Sequence, residues 1–195
     1  MMKAQMKIYS VLCILLFTIL FDNTAYIHCS ETPALVPDHV SIKVQRKGND
    51  HSVTATGIIN ADIDSVWTAL VDYDNHEKYM PNVIQSKILS RSGISMMVFK
   101  QIKVSFKQTD MVLKVTADEG KHICTWIQHK GNFKKNQGSW ILKAGGNNTT
   151  HITYSAIVEP AFYMPGWLKK HLQEKSVPDV IRSVARRAIL LKGNK

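Results

Sequence analysis

Alternation of apolar and polar positions runs through this chain from residue 39 to residue 158. His39 to Lys47 and Ser52 to Asn60 alternate and are rich in Val, Ile and Thr, with the turn signal Gly48-Asn49-Asp50 between them, so they read as a hairpin. The period then changes. Val66, Trp67, Leu70 and Val71 fall at helical spacing behind Asp62 and Asp64, either of which can cap a helix start. Asp72-Tyr73-Asp74 breaks this helix, a short second one runs from Asn75 to Tyr79, and Pro81 ends it. Neither is long enough to be stable alone, so both must pack on a sheet.

Strand alternation resumes at Val83 to Leu89. After the turn signal Arg91-Ser92-Gly93 it continues in a long run from Ile94 to Lys107. Ile94, Met96, Val98, Lys100, Ile102, Val104 and Phe106 share one face of that run, a core-facing row with one cation in it. Met111, Leu113, Val115 and Ala117 carry the alternation on, Glu119-Gly120 turns it, and Ile123 to His129 returns. Gly138 to Lys143 and His151 to Val158 form a last hairpin around Gly145-Gly146-Asn147-Asn148. A two-part helix closes the chain. Its lead-in spans Pro165 to Glu174, and Ser176-Val177-Pro178-Asp179 starts the longer part. Val180, Ile181, Val184, Ala185, Ala188 and Ile189 make its apolar stripe, with Arg182, Arg186 and Arg187 mostly off it. Those arginines are either a solvated face or a contact surface for anionic headgroups. A curved antiparallel sheet closed by one helix encloses a cavity, so the question becomes what the cavity holds.

The N-terminus stands apart from this pattern. Lys3 and Lys7 precede an apolar run of 14 residues from Ile8 to Phe21, and Thr24-Ala25 follow it. A membrane-spanning helix needs about 20 apolar residues, so the run has the layout of a secretory signal peptide. The expected organisation is a signal peptide at 1–25, a leader at 26–38 broken by Pro33 and Pro37, and one domain at 39–192, with a secreted or periplasmic location. His28 stands where a lipoprotein site wants a small residue, which argues against acylation at Cys29. Cys124 reads as a buried strand residue rather than the partner of Cys29 in a disulfide.

Composition supports one packed domain: 195 residues, 45% hydrophobic, without repeats or low-complexity tracts. Formal net charge is +10, and removal of residues 1–25 leaves +9. An exported basic protein meets anionic lipid headgroups more readily than nucleic acid, so transient contact with anionic membrane is expected and nucleic acid is not; a monomer is expected.

Three stretches together resemble the START-like (SRPBCC) superfamily of helix-grip proteins, which includes polyketide cyclase/dehydrase, coenzyme Q-binding and lipid-transfer relatives. The first is Ala61-Asp62-Ile63-Asp64-Ser65-Val66-Trp67 with Leu70-Val71-Asp72-Tyr73, running on to Tyr79-Met80-Pro81. The second is Gly138-Ser139-Trp140 before a hairpin into Thr153-Tyr154. The third is Glu159-Pro160, Pro165-Gly166-Trp167-Leu168, Val177-Pro178 and the Arg-rich closing helix. The resemblance implies an α+β fold: a curved seven-stranded antiparallel sheet around a long C-terminal helix, with two short helices after the first strand region. It also implies a tunnel between sheet and helix for a lipid, sterol, polyketide or other hydrophobic molecule. Fold alone does not decide function.

Chemical motifs are sparse. No metal-ligand spacing, phosphate-cradling glycine loop or nucleophile elbow occurs, so no catalytic residue, metal or cofactor is assigned. The candidate ligand-binding residues are Lys100, Tyr154, His129, Trp67, Tyr79 and Trp167. A lysine in an apolar row pairs with an acid, meets a ligand headgroup, or has its pKa lowered for chemistry. Tyr154 alternates with Ile152, Ala156 and Val158, and His129 with Ile123, Thr125 and Ile127, so both are candidates to point inward. Trp67 and Tyr79 lie on the two short helices, which cap one end of the tunnel in this fold. The leading expectation is a binding or transfer protein for a hydrophobic, lipid-like ligand. The alternatives are a cyclase- or hydrolase-type enzyme in the same cavity and a protein-interaction module.

Overall fold

In the computed structural model, which describes residues 41–47, 50–104, 107–161, 163 and 165–192, the alternating segments form eight strands. They are β1 (Ser41–Lys47), β2 (Asp50–Ile59), β3 (Val83–Ser92), β4 (Ser95–Val104), β5 (Lys107–Asp118), β6 (Ile123–Gly131), β7 (Phe133–Ala144) and β8 (Thr150–Pro160). Their order in one sheet is β1-β2-β8-β7-β6-β5-β4-β3, antiparallel throughout. This is the expected helix-grip sheet, with β1 as an added edge strand on β2. The signal peptide, the leader and Cys29 lie outside the described residues.

Four helices are described: α1 (Ile63–Val71), α2 (His76–Tyr79), α3 (Gly166–His171) and α4 (Val177–Lys192). Asp62 caps α1, its carboxylate accepting from the Ser65 backbone N–H and hydroxyl, each at 2.8 Å. A 3-10 turn at Tyr73–Asn75 replaces the break expected at Asp72–Asp74. The start signal at Ser176–Asp179 is not a fresh cap. A π-helical turn at Leu172–Ser176 joins α3 to α4, and Val177 stays helical at φ −67, ψ −47. Pro178 has no N–H to continue the α ladder, and the widened turn ahead of it absorbs that gap.

The apolar stripe of α4 meets α1 and the inner face of the sheet. Ala69 on α1 and Ala185 and Ala188 on α4 are fully buried, and their small side chains let the two helices approach closely. Val66, Leu70, Ile181 and Val184 fill the remaining space against Val98, Val115, Cys124 and Ile152 of the sheet. Cys124 is free and buried, as expected. Of the arginines of α4, Arg187 is committed beyond a solvated face, while Arg182 and Arg186 bond only within the helix. Arg187 bonds Asp72 Oδ2 at 3.1 Å with its guanidinium 5.5 Å from the Tyr79 ring centroid, which ties α4 to the α1–α2 corner. Arg182 bonds Asp179 and Arg186 donates to Ser183 Oγ, both at 3.0 Å.

Candidate functional site

Between the inner face of the sheet, the α1–α2 corner and Val180 of α4 lies a cavity of about 250 Å³. Leu70, Met80, Val83, Ile102, Leu113, Phe133 and Val158 supply apolar wall, and Trp126, Trp140 and Tyr154 supply aromatic wall. Gly138 on β7 makes the aromatic wall possible. A Cβ there would run into the Ser155 carbonyl and the Trp126 ring, so only glycine lets that indole lie across the strand. Trp126 then stacks on Tyr154 with centroids 5.6 Å apart and planes 19° off parallel, while Trp140 tilts against the same ring at 4.5 Å. Trp126 Nε1 donates to Asn136 Oδ1 at 3.2 Å, and Asn136 Nδ2 donates in turn to the Met111 thioether at 3.3 Å. Burial raises the Tyr154 hydroxyl to a pKa of about 12, so it stays protonated as a cavity-lining donor and acceptor.

Lys100 enters from the middle of β4, opposite Ser86 on β3 and Met111 on β5. Its ammonium lies 2.9 Å from His76 Nδ1 and 5.0 Å from the centroid of the Tyr73 ring. His76 Nε2 lies 3.2 Å from the Leu70 carbonyl. A carbonyl only accepts, so Nε2 carries the hydrogen and Nδ1 accepts from Lys100. Burial, with the Lys100 charge second, holds His76 well below its ordinary pKa of 6.5, so the ring is neutral. Burial pulls Lys100 from 10.5 down to about 8, which leaves it mostly protonated at pH 7. Behind them the Tyr73 hydroxyl and Cys124 Sγ meet at 3.4 Å, and burial raises the pKa of both. Among the described residues no carboxylate pairs with Lys100.

Of the six candidate residues, Lys100 and Tyr154 line this cavity and the other four do not. Trp67 is 5% exposed and packs edge-on to His122 at 5.6 Å. Tyr79 donates its hydroxyl to the Ala69 carbonyl at 2.6 Å and lies beneath Arg187, which makes it a brace between helices. Trp167 is 72% exposed on α3. His129 is exposed, and the inward reading of its row is corrected. Along β5 the partners jump from Lys130 opposite Val112 to Gln128 opposite Leu113, so His129 is the extra residue of a bulge. The inward row of β6 is Cys124, Trp126 and Gln128; apolar Ile127, 53% exposed, lies on the outer side with Thr125.

Trp126, Trp140, Asn136 and His76 are not among the ligand-binding candidates named from the sequence, although Trp140 belongs to the Gly138-Ser139-Trp140 stretch that carries the resemblance. The two tryptophans had a usable signal, because Gly138 stands beside Trp126 across the β6–β7 ladder. His76 had none, since its place depends on how a four-residue helix docks. Among the described residues no cluster of His, Cys, Asp and Glu is arranged to hold a metal ion, and no helix is long and apolar enough to cross a membrane.

Residues 59–185, which contain every cavity-lining side chain named above, match the family described as polyketide cyclase / dehydrase and lipid transport. The chain belongs to that family. Solved structures agree on the fold. A STAR-related lipid transfer protein from Xanthomonas axonopodis superposes with a TM-score of 0.67 at 15% identity, covering 77% of this chain and 94% of that one. The Zhui aromatase/cyclase from Streptomyces sp. R1128 gives 0.63 at 14% identity, over 77% and 94%. Human STARD10 gives 0.64 at 15% identity, over 80% and 71%. Comparison with the curated proteins gives no match. The family description names both polyketide cyclase / dehydrase and lipid transport, and the shared fold does not choose between them.

Proposed function

We propose that this member of the family is an exported binding or transfer protein for a hydrophobic, lipid-like ligand held between the sheet and α4. One observation carries the reading: a cavity of about 250 Å³ whose wall is mostly apolar and aromatic, with only a few polar groups turned into it. Encapsulation would be the mechanism. Apolar walls replace water around the guest at roughly 25 cal/mol per Å² buried. The likeness to the STAR-related lipid transfer protein supports this reading, and the N-terminal layout Lys3, Lys7 and Ile8–Phe21 supports export to a secreted or periplasmic location. The net charge of +10 and the exposed Tyr163 and Trp167 favour a transient docking at anionic membrane. Solvent extraction of the purified full chain, followed by mass spectrometry, tests the reading. A stoichiometric hydrophobic molecule is expected. No co-extracted lipid, together with no quenching of Trp126 and Trp140 fluorescence by any hydrophobic ligand, would overturn it.

A second reading has one observation in its favour. Lys100 and His76 stand within hydrogen-bond reach of each other on the cavity wall, one an ammonium and the other a neutral base. An acid and a base side by side are the minimum for proton transfer on a bound carbonyl compound. The aromatase/cyclase neighbour supports that reading. Turnover of a poly-β-ketone surrogate that vanishes in His76→Gln would establish it, and unchanged turnover in that variant would remove it.

A further inference from the structure

We infer that the guest of this cavity ends in an anionic head group, and that the Lys100 ammonium receives it. The inference rests on the hydrophobic-ligand reading above and adds the chemistry of the ligand. Lys100 projects from mid-strand, between Val98 and Ile102, into an apolar wall. Its single hydrogen-bond acceptor is the neutral Nδ1 of His76, which leaves two ammonium N–H groups without an acceptor among the described residues. The groups facing it from each packed element are uncharged at pH 7. They are His76 from α2, the Tyr73 ring from the 3-10 turn, Ser86 from β3, Met111 from β5 and the Cys124 thiol from β6. Glu77, the carboxylate of α2, is exposed and accepts from the Ser86 backbone N–H at 3.3 Å instead.

An unpaired cation in an apolar wall is unfavourable by itself, and a carboxylate brought by the guest supplies what is missing. A second donor waits beside it. Asn136 Nδ2 is directed at the Met111 thioether, a weak acceptor, and Met111 is the residue opposite Lys100 in the β4–β5 register. A head-group oxygen is a better acceptor for that N–H than sulfur. Size narrows the class further. A volume of about 250 Å³ lies just below the ~300–1,000 Å³ of pockets for drug-sized ligands. The fit is a single short chain or one ring system bearing one anion, not a two-chain phospholipid.

Decanoate, decanol and decylamine share one apolar tail and differ in head charge, and quenching of Trp126 and Trp140 reports binding of each to the full chain. At pH 7 decanoate is expected to bind about tenfold or more tighter than decanol, with decylamine weakest. Between pH 7 and 9.5 decanoate remains ionised while Lys100, with its pKa at about 8, gives up its proton. Decanoate affinity should then fall about tenfold or more and decanol affinity should not. Lys100→Met and Lys100→Gln should each erase the preference for decanoate while keeping decanol binding, and the pH series on the unaltered chain needs neither variant. Equal affinity for decanoate and decanol would overturn the inference and leave the hydrophobic-ligand reading standing. Failure of all three probes to bind would overturn both.

Discussion

Lys100→Met tests the electrostatics of the site without any ligand. The folded-state pKa of Lys100 is about 8 against 10.5 for an exposed lysine. The unfolded chain therefore holds more protons at this position between pH 8 and 10.5, and the stability of the native protein rises with pH across that window. Below pH 8 the full penalty is present. The difference of 2.5 pH units, at 1.36 kcal/mol each, corresponds to about 3 kcal/mol. The side chain is only partly shielded by the cavity wall, so this is an upper bound. Methionine fills similar space without charge but leaves His76 Nδ1 without its donor, which takes back about 1 kcal/mol or more. The pH-dependent part of the difference between the two proteins is the cleaner quantity, because all other titrations cancel. Urea melts followed by circular dichroism from pH 7 to 10.5 should show Lys100→Met gaining on the native chain at pH 7, by up to about 3 kcal/mol relative to pH 10.5. A difference that stays flat across those pH values, or one that grows with pH, would refute the assignment of an unpaired buried ammonium.

Further outcomes follow from the same geometry. His76 has its pKa held below 6.5 by burial, so the unfolded chain binds more protons there as pH falls below 6.5 and stability drops; in His76→Gln that acid-side slope should be reduced, as read from melts between pH 6.5 and 5. Gly138→Ala should cost about 1–3 kcal/mol in thermal melts and disturb tryptophan emission, because the added methyl displaces the Trp126 ring. A double-mutant cycle on Asp72→Asn and Arg187→Ala should give a coupling of about 1 kcal/mol, since both side chains are partly buried where α4 meets the α1–α2 corner.

Most strands and the longer helices are legible because each obeys one period for long enough to be counted. Lys100 stood out as the one cation in an apolar row, and Tyr154 as a hydroxyl in another. Three things hid the rest. The bulge at His129 falls at the end of the β6 alternation, and an exposed Ile127 makes the wrong face look apolar. The first part of β7, from Phe133 to Gln137, reads Phe-Lys-Lys-Asn-Gln and carries too few apolar residues to announce a strand, so Asn136 went unnoticed. His76 reaches the cavity only because the turn after Asp72 swings a four-residue helix over β4, a tertiary fact with no local signature.

The pairing of β2 with β8 also bears on how the molecule comes into being. Ser52 lies opposite Ile157 and Ile59 opposite Thr150, so the second strand to be made finds its inner neighbour only after the last strand has appeared. Loop closure of that length is slow and sets the folding rate of such topologies. Until it happens, the hairpin of β1 and β2 has two open edges, and that of β2, closed later by β8, is able to pair with another chain. That exposed edge lasts as long as the closure takes, so refolding yield should fall as chain concentration rises.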